Sequence, residues 1–140
     1  MPRLASITSQ ALAGLGITRL SSLWYTAVRL FGLSTDNGDG TFDLDLEERI
    51  EFDFEPEAGI LYTLDFTIVE DTLFGTLSSV IILDRSDDSV VLDAGPVALD
   101  DGVPEQIIRT FTPTTTGTHT LFINGIGSGT ANISSIEIRQ

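Results

Sequence analysis

From Phe42 to Phe54 the chain alternates. Even positions read Phe42, Leu44, Leu46, Glu48, Ile50, Phe52 and Phe54, and odd positions read Asp43, Asp45, Glu47, Arg49, Glu51 and Asp53. One face is apolar except for Glu48, and the other is charged throughout. Successive side chains of an extended strand point to opposite sides, so a period of two marks a sheet with one buried face. Thirteen residues is long for one strand, and Glu48 interrupts the apolar row, so the pattern predicts two strands, roughly 41–46 and 49–55, with a bend between them.

The same period continues downstream. Pro56-Glu57-Ala58-Gly59 reads as a turn, and Tyr62, Leu64, Phe66 and Ile68 then alternate with Thr63, Asp65 and Thr67. Tyr62 falls on the apolar side and is expected in the core. Val80 to Leu83 is a continuous apolar run, as in a central strand, and Arg85-Ser86-Asp87-Asp88 turns it back into Val90-Val91-Leu92. Residues 94–105 carry Gly95, Pro96, Gly102 and Pro104 and suit a long surface connection. Strands are predicted again over Ile107–Thr112 and His119–Ile123, and Asn124-Gly125 signals a hairpin because both residues tolerate positive φ. The last strand spans about Ala131 to Arg139, where the alternation slips between Ile133 and Ile136, as at a β-bulge.

About eight strands without a helix among them predict an all-β fold, an antiparallel jelly-roll-like β-sandwich. It would occupy residues 21–140, preceded by an N-terminal arm or short helix over 1–20. In the arm, Leu4, Ile7, Ala11 and Leu15 fit a helical stripe that Gly14 and Gly16 would stop. Residues 22–33 fit a helix through Leu23, Trp24, Ala27, Val28 and Phe31, but their strand formers favour a strand hairpin.

Composition narrows the function classes. The formal net charge is −14, and all seven basic residues are arginine. Such a surface repels phosphate backbones, which argues against nucleic-acid binding. Cysteine is absent, so neither disulfides nor thiol chemistry are available. No apolar run reaches the ~18 residues of a membrane-spanning helix. The opening does not read as a secretory signal, because Gly14 and Gly16 break its weak apolar run.

Candidate chemistry is sparse. Asp36-Asn37-Gly38-Asp39-Gly40-Thr41 invites a Ca2+ reading through Asp36 and Asp39, but glycines stand at two positions where that loop needs ligands, and a tight turn explains the loop equally well. Asp84, Asp87, Asp88, Asp93, Asp100 and Asp101 form a second acidic set around two loops, readable as a solvated surface or a Ca2+ site. His119 is the single histidine and is expected on a strand face; with no cysteine it excludes most zinc sites and the familiar nucleophile triads. No spacing among 21 acids selects the carboxylate pair of a glycoside hydrolase. Gly125-x-Gly127-x-Gly129 is followed by a strand and reads as a turn rather than a dinucleotide fingerprint. Trp24 and Tyr25 are the candidate rings for a sugar-stacking platform. The reading is therefore of a non-enzymatic protein that calls for no cofactor.

Two segments carry resemblances. Ala58-Gly59 with Tyr62–Ile68, then Thr116–Ile123 and Ala131–Ile138, resemble small jelly-roll modules similar to carbohydrate-binding modules, over about 90 residues. Such modules also recur in tailed-phage virion proteins, and no sugar-binding residues carry over from them. The opening Ser6–Ile17 resembles short segments of phage structural and tail proteins, and an arm joined to a sandwich is similar to the build of capsid cement (decoration) proteins. Together they imply a virion structural protein on the capsid surface, a homo-oligomer such as a trimer. It would contact the major capsid protein through Arg3, Leu4, Ile7, Leu12 and Leu15. The alternative is a carbohydrate-binding module, or a tail fibre or adaptor component, that binds a glycan.

Overall fold

The computed structural model describes residues 22–23, 25–70, 75–99, 102–127 and 129–140. Among them are twelve strands and no helix: β1 (Ser22–Leu23), β2 (Ala27–Leu30), β3 (Thr35–Asp36), β4 (Phe42–Asp45), β5 (Arg49–Phe54), β6 (Tyr62–Glu70), β7 (Gly75–Asp84), β8 (Ser89–Asp93), β9 (Val97–Ala98), β10 (Glu105–Phe111), β11 (His119–Gly127) and β12 (Thr130–Arg139). All pairings are antiparallel. One sheet runs β10-β6-β12-β4-β3, with β1 on the far end of β12; the other runs β2-β5-β11-β7-β8, with β9 on β7. We call them the β12 sheet and the β11 sheet.

The sheets face each other across one core, as the alternation requires. From the β12 sheet come Phe42, Leu44, Tyr62, Leu64, Phe66, Ile68, Ala131 and Ile133. From the β11 sheet come Ile50, Phe52, Phe54, Leu77, Val80, Ile82, Leu121 and Ile123. Aromatic edges meet aromatic faces across the gap: Phe42 and Phe52 at 5.0 Å, Phe54 and Phe111 at 6.0 Å. This geometry suits ring quadrupoles better than a direct sandwich. Tyr62 is buried as expected and keeps its hydroxyl satisfied by accepting from the Glu57 amide at 3.0 Å.

The break at Glu48 moves the chain between layers. β4 belongs to one sheet and β5 to the other. Leu46 stays fully buried inside the corner, and the Glu48 amide donates to the Asp45 carbonyl at 2.9 Å. Asp45 is itself buried; its carboxylate accepts from the Leu33 and Glu47 amides, both at 3.0 Å.

Four expectations are corrected. The strands number twelve among the described residues because short edge pieces such as β3 and β9 flank the long ones. β9 also lies inside the expected 94–105 connection. Residues 22–33 form strands but not a hairpin: β1 pairs with β12 and β2 with β5, so the chain changes sheets between them. Asn124-Gly125 does not turn the chain. β11 continues to Gly127, and the pair sits at a register shift against β7. Gly125 is needed there for space, since a Cβ would come 2.7 Å from the Leu46 backbone. The bulge in β12 is where the slip predicts it. Ser134 pairs with Thr67 and Glu137 with Asp65, so Ser135 and Ile136 together oppose Phe66. Ser135 takes a left-handed φ of 52°.

The close approach at the corner is testable. Gly125→Ala should destabilise the fold by about 1–3 kcal/mol, the usual cost of forcing atoms into a packed site. Urea unfolding of the variant checks this; an unchanged midpoint would contradict the close approach of β11 to the 46–48 corner.

Candidate functional site

Once β5 and β11 commit one face to the core, their other side chains form the outer surface of the β11 sheet. Register stacks them in rows across five strands. One row holds Asp53, Thr120, Leu83 and Val90; the next holds Arg29, Glu51, Phe122, Ile81 and Asp93. A third holds Arg49, Asn124 and Ser79, with Phe31 at the β2 end through its amide bond to the Arg49 carbonyl. At roughly 4.8 Å per strand the face is about 19 Å wide.

Its charges are paired. Arg29 donates two hydrogen bonds to Asp53, both at 2.7 Å, and one to Glu51 at 2.8 Å. Arg49 donates to the other Glu51 oxygen at 2.7 Å. Thr120 donates to Asp53 at 2.7 Å, and the Asn124 amide donates to Ser79 at 2.7 Å. The hydrogen bonds from Arg29 hold the Asp53 carboxyl below the usual aspartate range, against a smaller effect of burial. For Glu51 burial is the largest influence and acts upward, but the bonds from Arg49 and Arg29 together outweigh it and leave the group lowered. Two-point guanidinium–carboxylate pairing also fixes orientation.

Two half-buried phenylalanine rings lie on this side. The Arg49 guanidinium sits 3.8 Å from the centroid of Phe31, and that of Arg85 sits 5.8 Å from the centroid of Phe122. Both distances fall within cation–π range. On the same face a depression of about 300 Å³ is lined by Arg29, Glu51, Asp53, Arg85, Thr118 and Thr120. Arg85 is also tied to Asp88, at 3.2 Å. The face thus offers paired donors and acceptors, hydroxyls, an amide and flat ring surface.

Of the described site candidates read from sequence, Asp93 borders this face, whereas Tyr25, Asp36 and Asp39 lie elsewhere. Arg3, Leu4, Ile7, Leu12, Leu15 and Trp24 fall outside the described residues, as do Asp100 and Asp101. The Tyr25 ring packs edge-on against Phe52 at 5.6 Å and Phe42 at 5.9 Å, so it serves the core. Asp36 and Asp39 cap their own turn: Asp36 accepts from the Gly38 amide at 2.9 Å, and Asp39 from the Thr41 amide and hydroxyl at 3.0 and 2.7 Å. Asp87 and Asp93 cap turns in the same way. Among the described residues no three His, Asp or Glu side chains converge on a metal position.

His119 is on the inner face, fully buried and tilted against Phe54 at 6.1 Å. Its Nδ1 lies 2.9 Å from the Gly117 carbonyl, and its Nε2 has no partner among the described residues. Beside it Asp84 is buried and accepts from Thr115 at 2.5 Å and from the Ser86 hydroxyl and amide at 2.7 and 2.9 Å. This corner ties the 113–119 segment to the β7–β8 turn and faces away from the outer surface.

With the geometry in hand, likeness to solved structures decides the fold. One neighbour is a family 4 carbohydrate-binding module, 18% identical, covering 75% of this chain and 87% of its own, with a TM-score of 0.55. Two others are the N-terminal cellulose-binding domains of a β-1,4-glucanase C from Cellulomonas fimi. The first is 17% identical over 79% of this chain and 95% of its own, with a TM-score of 0.53. The second is 17% identical over 82% and 86%, with a TM-score of 0.58. The sandwich has the jelly-roll fold of carbohydrate-binding modules. At such identities the likeness is one of fold. No family model and no curated protein matches the chain.

Pairing also sets acid sensitivity. The Thr115 hydrogen bond, then those from Ser86, bring the Asp84 carboxyl from the ordinary 3.8 down to about 2. A depressed native value adds stability above the unfolded value and loses it as pH falls through the native one. Thermal midpoints should therefore drop between about pH 4 and pH 2, with Asp53 and Glu51 adding to the fall. Asp84→Asn should lower the midpoint at neutral pH and flatten that drop; an equally steep fall in the variant would show that Asp84 does not carry it.

Proposed function

We propose that the protein is a non-catalytic binding module for an uncharged polysaccharide, which lies across the outer face of the β11 sheet. The observation that carries this reading is the face itself. Phe31 and Phe122 are the aromatic rings that lie half-buried on an outer sheet face among the described residues, and both stand beside side chains whose hydrogen-bonding groups are already fixed. Sugars present C–H patches that suit flat rings and hydroxyls that suit paired donors and acceptors. The jelly-roll fold supports the same class of ligand.

Charge selects within that class. Arg29, Arg49 and Arg85 share the face with Glu51, Asp53, Asp93 and, beside Arg85, Asp88, on a chain of net charge −14. A polyanionic glycan would meet long-range repulsion and find no unpaired cation cluster among the described residues to offset it. Catalysis is disfavoured for a related reason. Glycoside hydrolysis needs one carboxyl that keeps its proton near neutral pH, whereas Glu51 and Asp53 are both held ionised.

Affinity electrophoresis through gels containing soluble β-1,4-glucan, β-1,3-glucan or β-1,4-xylan tests the proposal. At least one should retard the native protein, and Phe122→Ala should weaken that retardation about tenfold, the loss of ~1.4 kcal/mol expected of a stacked ring. Asn124→Ala should weaken it less. Retardation by none of the three, or none beyond that of Phe122→Ala, would overturn the reading.

A further inference from the structure

The opposite outer face, on the β12 sheet, carries a groove of about 450 Å³ beside the β12 bulge. Its polar walls are Asp65 and Thr67 of β6, Gln106 of β10, and Ser135 and Glu137 of β12; Leu23 and Ile136 supply its apolar lining. Three strands contribute because register aligns them: Gln106 pairs with Thr67, Thr67 with Ser134, and Asp65 with Glu137.

The polar groups are partly fixed and partly open. Asp65 accepts from Gln106 at 3.0 Å through one oxygen and from Arg139 at 2.9 Å through the other, and Arg139 also donates to Glu137 at 2.7 Å. This locks the side chains on either side of the groove. The Gln106 carbonyl oxygen and the hydroxyls of Thr67 and Ser135 have no partner among the described residues. Ser135 stands out further, since it holds a φ of 52° that glycine would adopt at lower cost. Strain of this kind, at a bulge that re-aims side chains, recurs at working sites. Here it places a hydroxyl at the rim of the groove.

We infer that this groove is a second binding site, for one or two residues of an uncharged sugar. The chemistry narrows the ligand. Asp65 and Glu137 wall the groove on a chain of net charge −14, which disfavours phosphate, sulfate or uronate. Among the described residues no aromatic ring lines the groove, so a flat nucleobase finds nothing among them to stack on. Amide, hydroxyl and carboxylate groups around an aliphatic lining fit the vicinal hydroxyls and C–H face of a pyranose. The inference shares its ligand class with the proposed function and none of its residues. With a site on each outer face, one module would bridge two polysaccharide chains, or bind one surface with the avidity of two contacts.

Backbone amide NMR titration of the whole chain with soluble hexasaccharides of β-1,4-glucan, β-1,3-glucan and β-1,4-xylan tests this. At least one probe should shift the amides around Thr67, Gln106 and Ser135, with a saturation curve separate from that of Thr120 and Phe122. The double variant Thr67→Val, Gln106→Ala should lose at least tenfold in affinity at the groove and keep the Phe122 shifts; Phe122→Ala should do the reverse. Thr67 and Gln106 are solvent-facing, so the variant should fold, and its unshifted core amides would confirm that. Groove shifts without any at the β11 sheet would overturn the proposed function and sustain this site. Shifts confined to the β11 sheet, or none with any probe, would overturn the second site.

Discussion

Burial of one face of every long strand is the constraint on which the molecule depends. Once Ile50, Phe52 and Phe54 point inward, Arg49, Glu51 and Asp53 must point outward, and antiparallel pairing brings Thr120, Phe122 and Asn124 alongside them. A slip by one residue would bury the charges and expose the core. The outer faces are therefore as exactly specified as the interior, although no outward residue chooses the register. The aromatic contacts among Phe42, Phe52, Phe54 and Phe111 hold both sheets to that choice.

This explains what could be read from the sequence. Strands over 42–54 and 62–68, the β7–β8 hairpin and the β12 bulge follow from a period of two and local turn residues, so they were legible. The sheet each strand joins was not. β1 and β2 look like one hairpin because pairing partners are set by contacts 24 or 115 residues distant, as Val28 with Phe52 or Leu23 with Ile138. Asn124-Gly125 misled for a related reason: Gly125 answers a steric demand from Leu46, across the sandwich corner, rather than a local turn. The site shows the same division. Arg49-x-Glu51-x-Asp53 on one strand face was visible as a charged row. Its conversion from a solubilising surface into an ion-pair lattice needed Arg29 from β2, which only the register supplies. Phe122 lay in the strand predicted over His119–Ile123 and was not singled out.

The distribution of arginine follows from scarcity. With 21 acids and seven bases, most carboxylates find no cation and are satisfied by water or by turn amides, as Asp36, Asp39, Asp87 and Asp93 are. Arg29, Arg49 and Arg85 instead gather on the β11 sheet. Exposed ion pairs are worth little individually, and Arg29 and Arg49 are about 40% exposed, so stability does not account for the clustering well. Orientation accounts for it better. Each guanidinium is held by a carboxylate, a ring or both, and holds them in turn.

That has a consequence for binding. A ligand pays for every side chain it must immobilise, on the order of 0.5–1.5 kcal/mol each for a long flexible one. Arg29, Arg49, Glu51 and Asp53 have already met that cost within the folded protein, and a strand lattice moves less than a loop. The groove on the β12 sheet is organised by the same device, with Arg139 between Asp65 and Glu137. In both places a rigid sheet carries polar groups whose directions are set before any ligand arrives, which suits weakly held, repetitive ligands such as polysaccharides. Both are open surfaces, and the narrow gap between the sheets at Leu23, Tyr25 and Phe52 is about 20 Å³, room for about one water. Recognition on such surfaces depends on how many fixed groups a long ligand can meet at once, and so on the row spacing that the buried side of each strand imposes.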